Sequence, residues 1–120
     1  MKSRVRRANE SDIDQIVNVI NTTNKALYKG VIPSENFRDP FITRRQLADD
    51  FRTWHFFVYE NEQRIIGTVA LEESNSKTGT VYRLYVLPQF QRRGVASALM
   101  RKVEHKAKEL GLKRLRLRVM

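Results

Sequence analysis

Apolar residues recur at two spacings along this chain, and each change of spacing marks an element. Ile13, Ile16, Val17 and Ile20 fall at helical intervals, which predicts a first amphipathic helix over 13–24. Asn9, Ser11 and Asp12 offer N-caps before it, and Ser11 with Asp14 has the form of a capping box. A second helix is expected from Thr43, where Gln46 stands at the reciprocal position and Leu47 and Phe51 share one side. Residues 3–8 read as a short opening strand. Residues 28–40 hold Gly30, Pro33 and Pro40 and read as a long loop.

The pattern then turns β-rich. Runs 54–59 and 64–71 flank Glu60-Asn61-Glu62-Gln63, the form of a hairpin. A polar turn over 74–79 leads into a third strand, 80–87. Helical spacing returns over 94–110, with Val95, Leu99, Val103 and Leu110 on the buried face and Gly111 as the cap. Over 112–120, Leu115, Leu117 and Val119 alternate with Arg114, Arg116 and Arg118, which is the period of a strand. The last strand–helix–strand unit should be a parallel, right-handed βαβ, and the strands before it antiparallel. The expected fold is α+β: a mixed, mostly antiparallel sheet in a three-layer α/β/α arrangement, forming one domain of 120 residues.

Composition narrows the chemistry. With no cysteine there is no disulfide framework, thiolate nucleophile or cysteine metal site, and two histidines form no metal cluster. No apolar run has the length of a membrane span, and no secretory segment follows Met1. A cytoplasmic protein without a membrane partner is expected. The formal net charge is +10, which favours polyanions, whether nucleic acid or a phosphorylated cofactor. From Gln91 onward only Glu104 and Glu109 are acidic. A basic nucleic-acid-binding domain is one reading, but the chain lacks a recognition helix or an aromatic RNA platform.

The joint between strand 80–87 and helix 94–110 carries more information. Val81-Tyr82-Arg83-Leu84-Tyr85-Val86-Leu87-Pro88 leads into Gln91-Arg92-Arg93-Gly94-Val95-Ala96. A helix start carries unpaired backbone N–H groups and partial positive charge. A turn before it can aim those donors at one phosphate, and Arg92 and Arg93 add formal charge. Gly94 has no side chain to keep the anion away.

Leu84-Tyr85-Val86-Leu87-Pro88 followed by Gln91-Arg92-Arg93-Gly94-Val95-Ala96 resembles motif A of the GNAT superfamily, N-acetyltransferases that use acetyl-CoA. The family pattern is Gln or Arg, two variable residues, Gly, one variable residue, then Gly or Ala, and every fixed position matches. The order of elements also agrees, over 5–119. The resemblance implies acetyl-CoA as cosubstrate, its diphosphate bound by Gln91, Arg92, Arg93, Gly94, Val95, Ala96 and Ser97. It implies a fourth strand that bulges and splays from the fifth, with pantetheine in the gap against the backbones of Leu84, Tyr85 and Val86. The Val86 amide would also polarise the thioester carbonyl.

The implied reaction is direct transfer of an acetyl group to a primary amine in a ternary complex, on a small-molecule or protein acceptor. Glu72 and Glu73 are the candidate bases, and Tyr82 or Tyr85 could line the site, with Tyr85 the candidate for a catalytic role. The family often places a glutamate where this chain has Thr80. Its members continue past strand five with a helix, often carrying the tyrosine that protonates the thiolate, and a hairpin. The sequence ends at Met120, so the expectation is a GNAT-like domain lacking these parts, or one completed by another subunit, as in a homodimer. A CoA-binding domain with weak catalysis is the alternative. The loop with Tyr28, Phe37 and Phe41 would cover the acceptor. Arg114, Arg116 and Arg118 could line a polar cleft, face solvent or touch nucleic acid.

Overall fold

Residues 2–28 and 40–118 are described by the computed structural model; most of the expected 28–40 loop, with Phe37, lies outside them, as does Val119. Strand β1, Ser3–Arg7, leads through a 3-10 turn into helix α1, Ile13–Tyr28. The capping box belongs to that 3-10 turn and is formed by Asn9 and Asp12, not by Ser11 and Asp14. The Asn9 side chain accepts from Ser11 N–H at 3.0 Å, and Asp12 accepts from Asn9 N–H at 2.8 Å. Asp12 wins this position because it also receives the Arg6 guanidinium at 2.8 and 3.0 Å, tying the helix start to β1. Asp14 instead meets Arg44 at the surface, 2.7 Å away.

Helix α1 outruns its expected end at 24 because its polar residues there are satisfied inside the fold. Asn24 Nδ2 donates to Ile20 O at 2.9 Å and Thr23 Oγ1 to Val86 O at 3.3 Å. Helix α2, Arg44–Thr53, starts at the expected Thr43–Gln46 capping box. Strands β2, His55–Asn61, β3, Arg64–Glu73, and β4, Thr78–Val86, follow. The first polar turn shrinks to Glu62 and Gln63, both left-handed at φ 51° and 66°, as tight hairpins require. The second shrinks because Asn75 Oδ1 accepts from the amides of Lys77 and Thr78 at 2.9 and 2.8 Å. Both strand pairs therefore run further than the polar residues imply.

Helix α3, Val95–Glu109, ends at a left-handed Gly111, φ 75°, where Leu112 N–H donates to Ala107 O at 2.9 Å. That bond closes a Schellman-type cap. Ala107 takes the last buried position on α3, and Leu110 is only partly buried. Strand β5 is shorter than expected, Arg114–Leu117.

The sheet runs in the order β1-β2-β3-β4-β5, antiparallel throughout except for the parallel β4–β5 pair. Helices cover both faces. A Cβ on Gly67 would lie 3.0 Å from Val95 Cγ1 and 3.2 Å from Leu99 Cδ1, so this glycine lets the first turn of α3 lie close on β3. Ala70, three residues on, faces the other way. Its cross-strand neighbour Tyr82 stacks on Trp54, just after α2, with centroids 4.3 Å apart and planes at 6°. Between these layers β3 is buried continuously from Ile65 to Leu71.

Two outcomes follow from this packing. Gly67→Val should lift the start of α3 off the sheet and cost about 1–3 kcal/mol by overpacking; urea denaturation reads the loss. Arg6 holds the Asp12 carboxyl below its ordinary value of 3.8, so its contribution is present above that pH and is lost as pH falls through the lower folded value. Asp12→Asn should destabilise the protein by about 3 kcal/mol at neutral pH. Melting curves should show the gap to the wild type narrowing below pH 3.8.

Candidate active site

Strand β4 cannot keep both neighbours along its whole length. It pairs with β5 only from Thr78 to Val81, and the last bond between them is Arg118 N–H to Val81 O at 2.9 Å. Against β3 the ladder is regular as far as Tyr82, opposite Ala70. Arg83 and Leu84 then oppose Val69 alone, and pairing resumes at Tyr85 opposite Thr68. The extra residue is a β-bulge, with Arg83 left-handed at φ 56°. Bulges bend and re-aim a strand, and here β4 leaves β5 just beyond Val81.

The gap so opened is lined by backbone with unspent hydrogen-bonding capacity. Leu87 N–H donates to Ile66 O at 2.9 Å while Val86 faces Gly67. This is the arrangement of a non-hydrogen-bonded antiparallel pair, so the N–H and C=O of Val86 point away from β3. The C=O accepts from Gln91 Nε2 at 3.0 Å and from Thr23 at 3.3 Å. Tyr85 is the adjacent pair with Thr68, which turns its backbone toward β3; it and Leu84 still line the gap.

A short 3-10 turn, Pro88–Phe90, leads from there to α3. Arg92 and Gly94 are both left-handed, at φ 64° and 82°, which folds the chain back sharply before the helix. Arg93 lies over the Phe90 ring at 5.7 Å. The first helical bond runs from Ala98 N–H to Gly94 O at 3.0 Å, so the amides of Val95, Ala96 and Ser97 have no acceptor within α3. The helix has no side-chain cap and no acid in its first turn, so no side chain of that turn offsets the positive end of its dipole. A cavity of about 200 Å³ lies over this turn, reaching from Arg92 to Ser97. It shares Val86, Gln91 and Ala96 with a groove of about 700 Å³ that runs through the β4–β5 gap.

The other face of the groove is lined by residues outside the motif-A turn. Arg83 lines it and donates from Nη2 to Asp50 Oδ2 of α2 at 3.1 Å. Burial pushes the Asp50 carboxyl above its ordinary value, and Arg83 partly offsets this. Thr23, Leu27 and Trp54 complete that wall. The signal for Arg83 lay in the chain: a lone charge inside Val81–Val86, an otherwise uncharged strand segment.

Glu72 sits behind the wall, accepting from Tyr82 OH at 3.3 Å and from Ser74 Oγ at 3.2 Å. Glu73 meets His55 at 2.9 Å at the strand end. Neither carboxylate lines the groove, whereas Tyr82 does. The three arginines of the last segment part company. Arg118 lines the groove, Arg116 reaches Thr80 Oγ1 at 3.5 Å, and Arg114 is exposed.

The model for the acetyltransferase (GNAT) family matches residues 18–120, and the chain belongs to that family of acyltransferases. Among solved structures it is similar to the PaiA N-acetyltransferase of Thermoplasma acidophilum, solved with coenzyme A. Their TM-score is 0.86 at 19% identity, over 99% of this chain and 80% of that one. It is also similar to a GNAT-family acetyltransferase of Staphylococcus aureus, with TM-score 0.80 and 17% identity over 99% of this chain and 75% of that one. A predicted acetyltransferase of Clostridium acetobutylicum, solved with acetyl-CoA, gives 0.73 and 18% over 98% and 81%. No curated protein matches the chain in sequence. Among the described residues no helix is long and apolar enough to cross a membrane.

Gly94 separates backbone strain from cradle chemistry. A Cβ there meets nothing within 4 Å, so Gly94→Ala should cost about 1–2 kcal/mol through the left-handed φ alone. Gly94→Asn, which tolerates that region, should recover most of the loss. Equal destabilisation of the two variants in denaturation would contradict this account of the turn.

Proposed function

We propose that the chain is a cytoplasmic N-acetyltransferase domain that transfers an acetyl group from acetyl-CoA to a primary amine, carried by a small molecule or a protein. One observation carries the proposal. The uncapped amides at the start of α3 and the outward N–H of Val86 open onto cavities that share Val86, Gln91 and Ala96. A diphosphate over the first fits helix-end donors, and an extended pantetheine along the second fits a strand edge that has lost its partner. The space at Gly94 and the small Ala96 and Ser97 side chains suit that fit.

Acetyl-CoA supplies an activated acyl carbon, at which the C–N bond forms as the C–S bond breaks. Arg92, Arg93 and the amides of 94–97 hold the diphosphate end. Gln91 fixes the end of β4 through its bond to Val86 O, which keeps the Val86 N–H directed into the gap as a donor for the carbonyl oxygen. Glu72 takes the ammonium proton through the Tyr82 hydroxyl. The support for that assignment is the 3.3 Å bond between them and the position of Tyr82 on the groove wall. Tyr85 stands beside the same gap as a candidate for the departing thiolate. Glu73, held by His55, has no such connection. A second reading, CoA binding with weak catalysis, is favoured by the absence of both glutamates from the groove lining.

Two measurements test these readings. Acetyl-CoA at about 100 times its dissociation constant should stabilise the fold by roughly 2.7 kcal/mol; no thermal shift at millimolar ligand contradicts both. In a thiol-release assay, Glu72→Gln and Tyr82→Phe should each lower kcat by about 10²-fold, with the double variant no worse than either. Full activity in Glu72→Gln excludes Glu72 as the base.

A further inference from the structure

We propose that the acceptor amine also carries a carboxylate, held between Arg83 on β4 and Arg118 beyond β5; the proposal rests on the acetyltransferase reading above. The two arginines approach one groove from the two strands that separate there. Arg83 is placed by strain: a non-glycine residue at φ 56° in a bulge persists only where its surroundings impose it. The bulge lets Arg83 reach α2 on the same side of the sheet as its neighbour Tyr82, which stacks on Trp54. Thr80 lies opposite Arg116 in the parallel ladder, and Arg116 bonds its hydroxyl. Two residues on, Arg118 therefore projects to the same side.

Charge on that wall decides which group is left wanting a partner. Both carboxylates are engaged inside the fold, Asp50 by Arg83 and Glu72 by Tyr82 and Ser74. A cationic acceptor would have to displace one of these contacts. The unmet capacity belongs to the donors. Arg83 Nε is buried with no acceptor, although buried polar atoms are almost always paired. Arg118 forms no ion pair among the described residues. A carboxylate in the groove can accept charge-assisted bonds from Arg118 and from the part of the Arg83 guanidinium that lines it, and the Trp54–Tyr82 stack beside it suits an apolar side chain. The chemistry points to an amino acid, or a peptide-like amine with its acid group near the nitrogen.

The test uses equilibrium binding, so that it does not depend on turnover. CoA is first shown to bind by calorimetry, and the CoA-loaded protein is then titrated with N-acetylphenylalanine, its carboxamide and spermidine. The carboxylate should bind at least about tenfold more tightly than the amide. Arg118→Gln, at an exposed position, should erase that preference without changing the melting temperature of the free protein. Arg83→Lys keeps the charge but loses the fork, and should weaken it. Equal affinity for acid and amide, tighter binding of spermidine, or no binding of any of them by CoA-loaded protein overturns the proposal and leaves the acetyltransferase reading standing. Failure to bind CoA at the first step overturns that reading and this one together.

Discussion

A central strand that loses one neighbour partway along its length governs this molecule. Up to Val81, β4 is held on both sides, by β3 and by β5. Beyond it, the bulge at Arg83 and Leu84 turns the strand while its ladder with β3 resumes at Tyr85. The outer edge of β4 is then left with polar backbone groups that a folded protein must either pair or direct at something. The Val86 C=O is paired by Gln91 and Thr23. Its N–H is directed into the groove.

The helix that follows repeats the same economy of partners. Helix α2 begins with a full capping box at Thr43 and Gln46, and the 3-10 turn before α1 with one at Asn9 and Asp12. Helix α3 begins at a bare, left-handed Gly94 with no side-chain cap. A cap at that position would have added roughly 1 kcal/mol of stability. Its omission beside a cavity, with two arginines on the preceding turn, leaves the helix end available to an anion. Gly67 then brings this end down onto β3, which sets the distance between the cradle and the splayed strand.

Much of this was legible in the chain, where the signal was local. Helical spacing at Ile13–Ile20 and Val95–Val103, the Thr43–Gln46 box and the Leu/Arg alternation near the end each mark an element. Gln91-Arg92-Arg93-Gly94 also marks its own turn, because the physics of a helix start is confined to a few residues. What escaped was non-local. Asp12 displaced Asp14 at the helix start because Arg6, on a neighbouring strand, reaches it. Asp50 and Arg83 are far apart in sequence, and only the bulge brings them together. The first β-turn contracted because Glu62 and Gln63 accept left-handed conformations that no glycine announces, and the second because the Asn75 side chain accepts from the amides of Lys77 and Thr78. Gly67 gives no sign in sequence that α3 rests on it.

The central claim is that main-chain amides at the start of α3, together with the freed edge of β4, grip the nucleotide thioester. Backbone amide NMR during a titration with coenzyme A tests this most directly. The account predicts the largest shifts at Gly94, Val95, Ala96 and Ser97, with a second group at Val86, and none centred on β1 or the β2–β3 turn. Binding that leaves those amides undisturbed, or perturbs the basic surface uniformly, contradicts it.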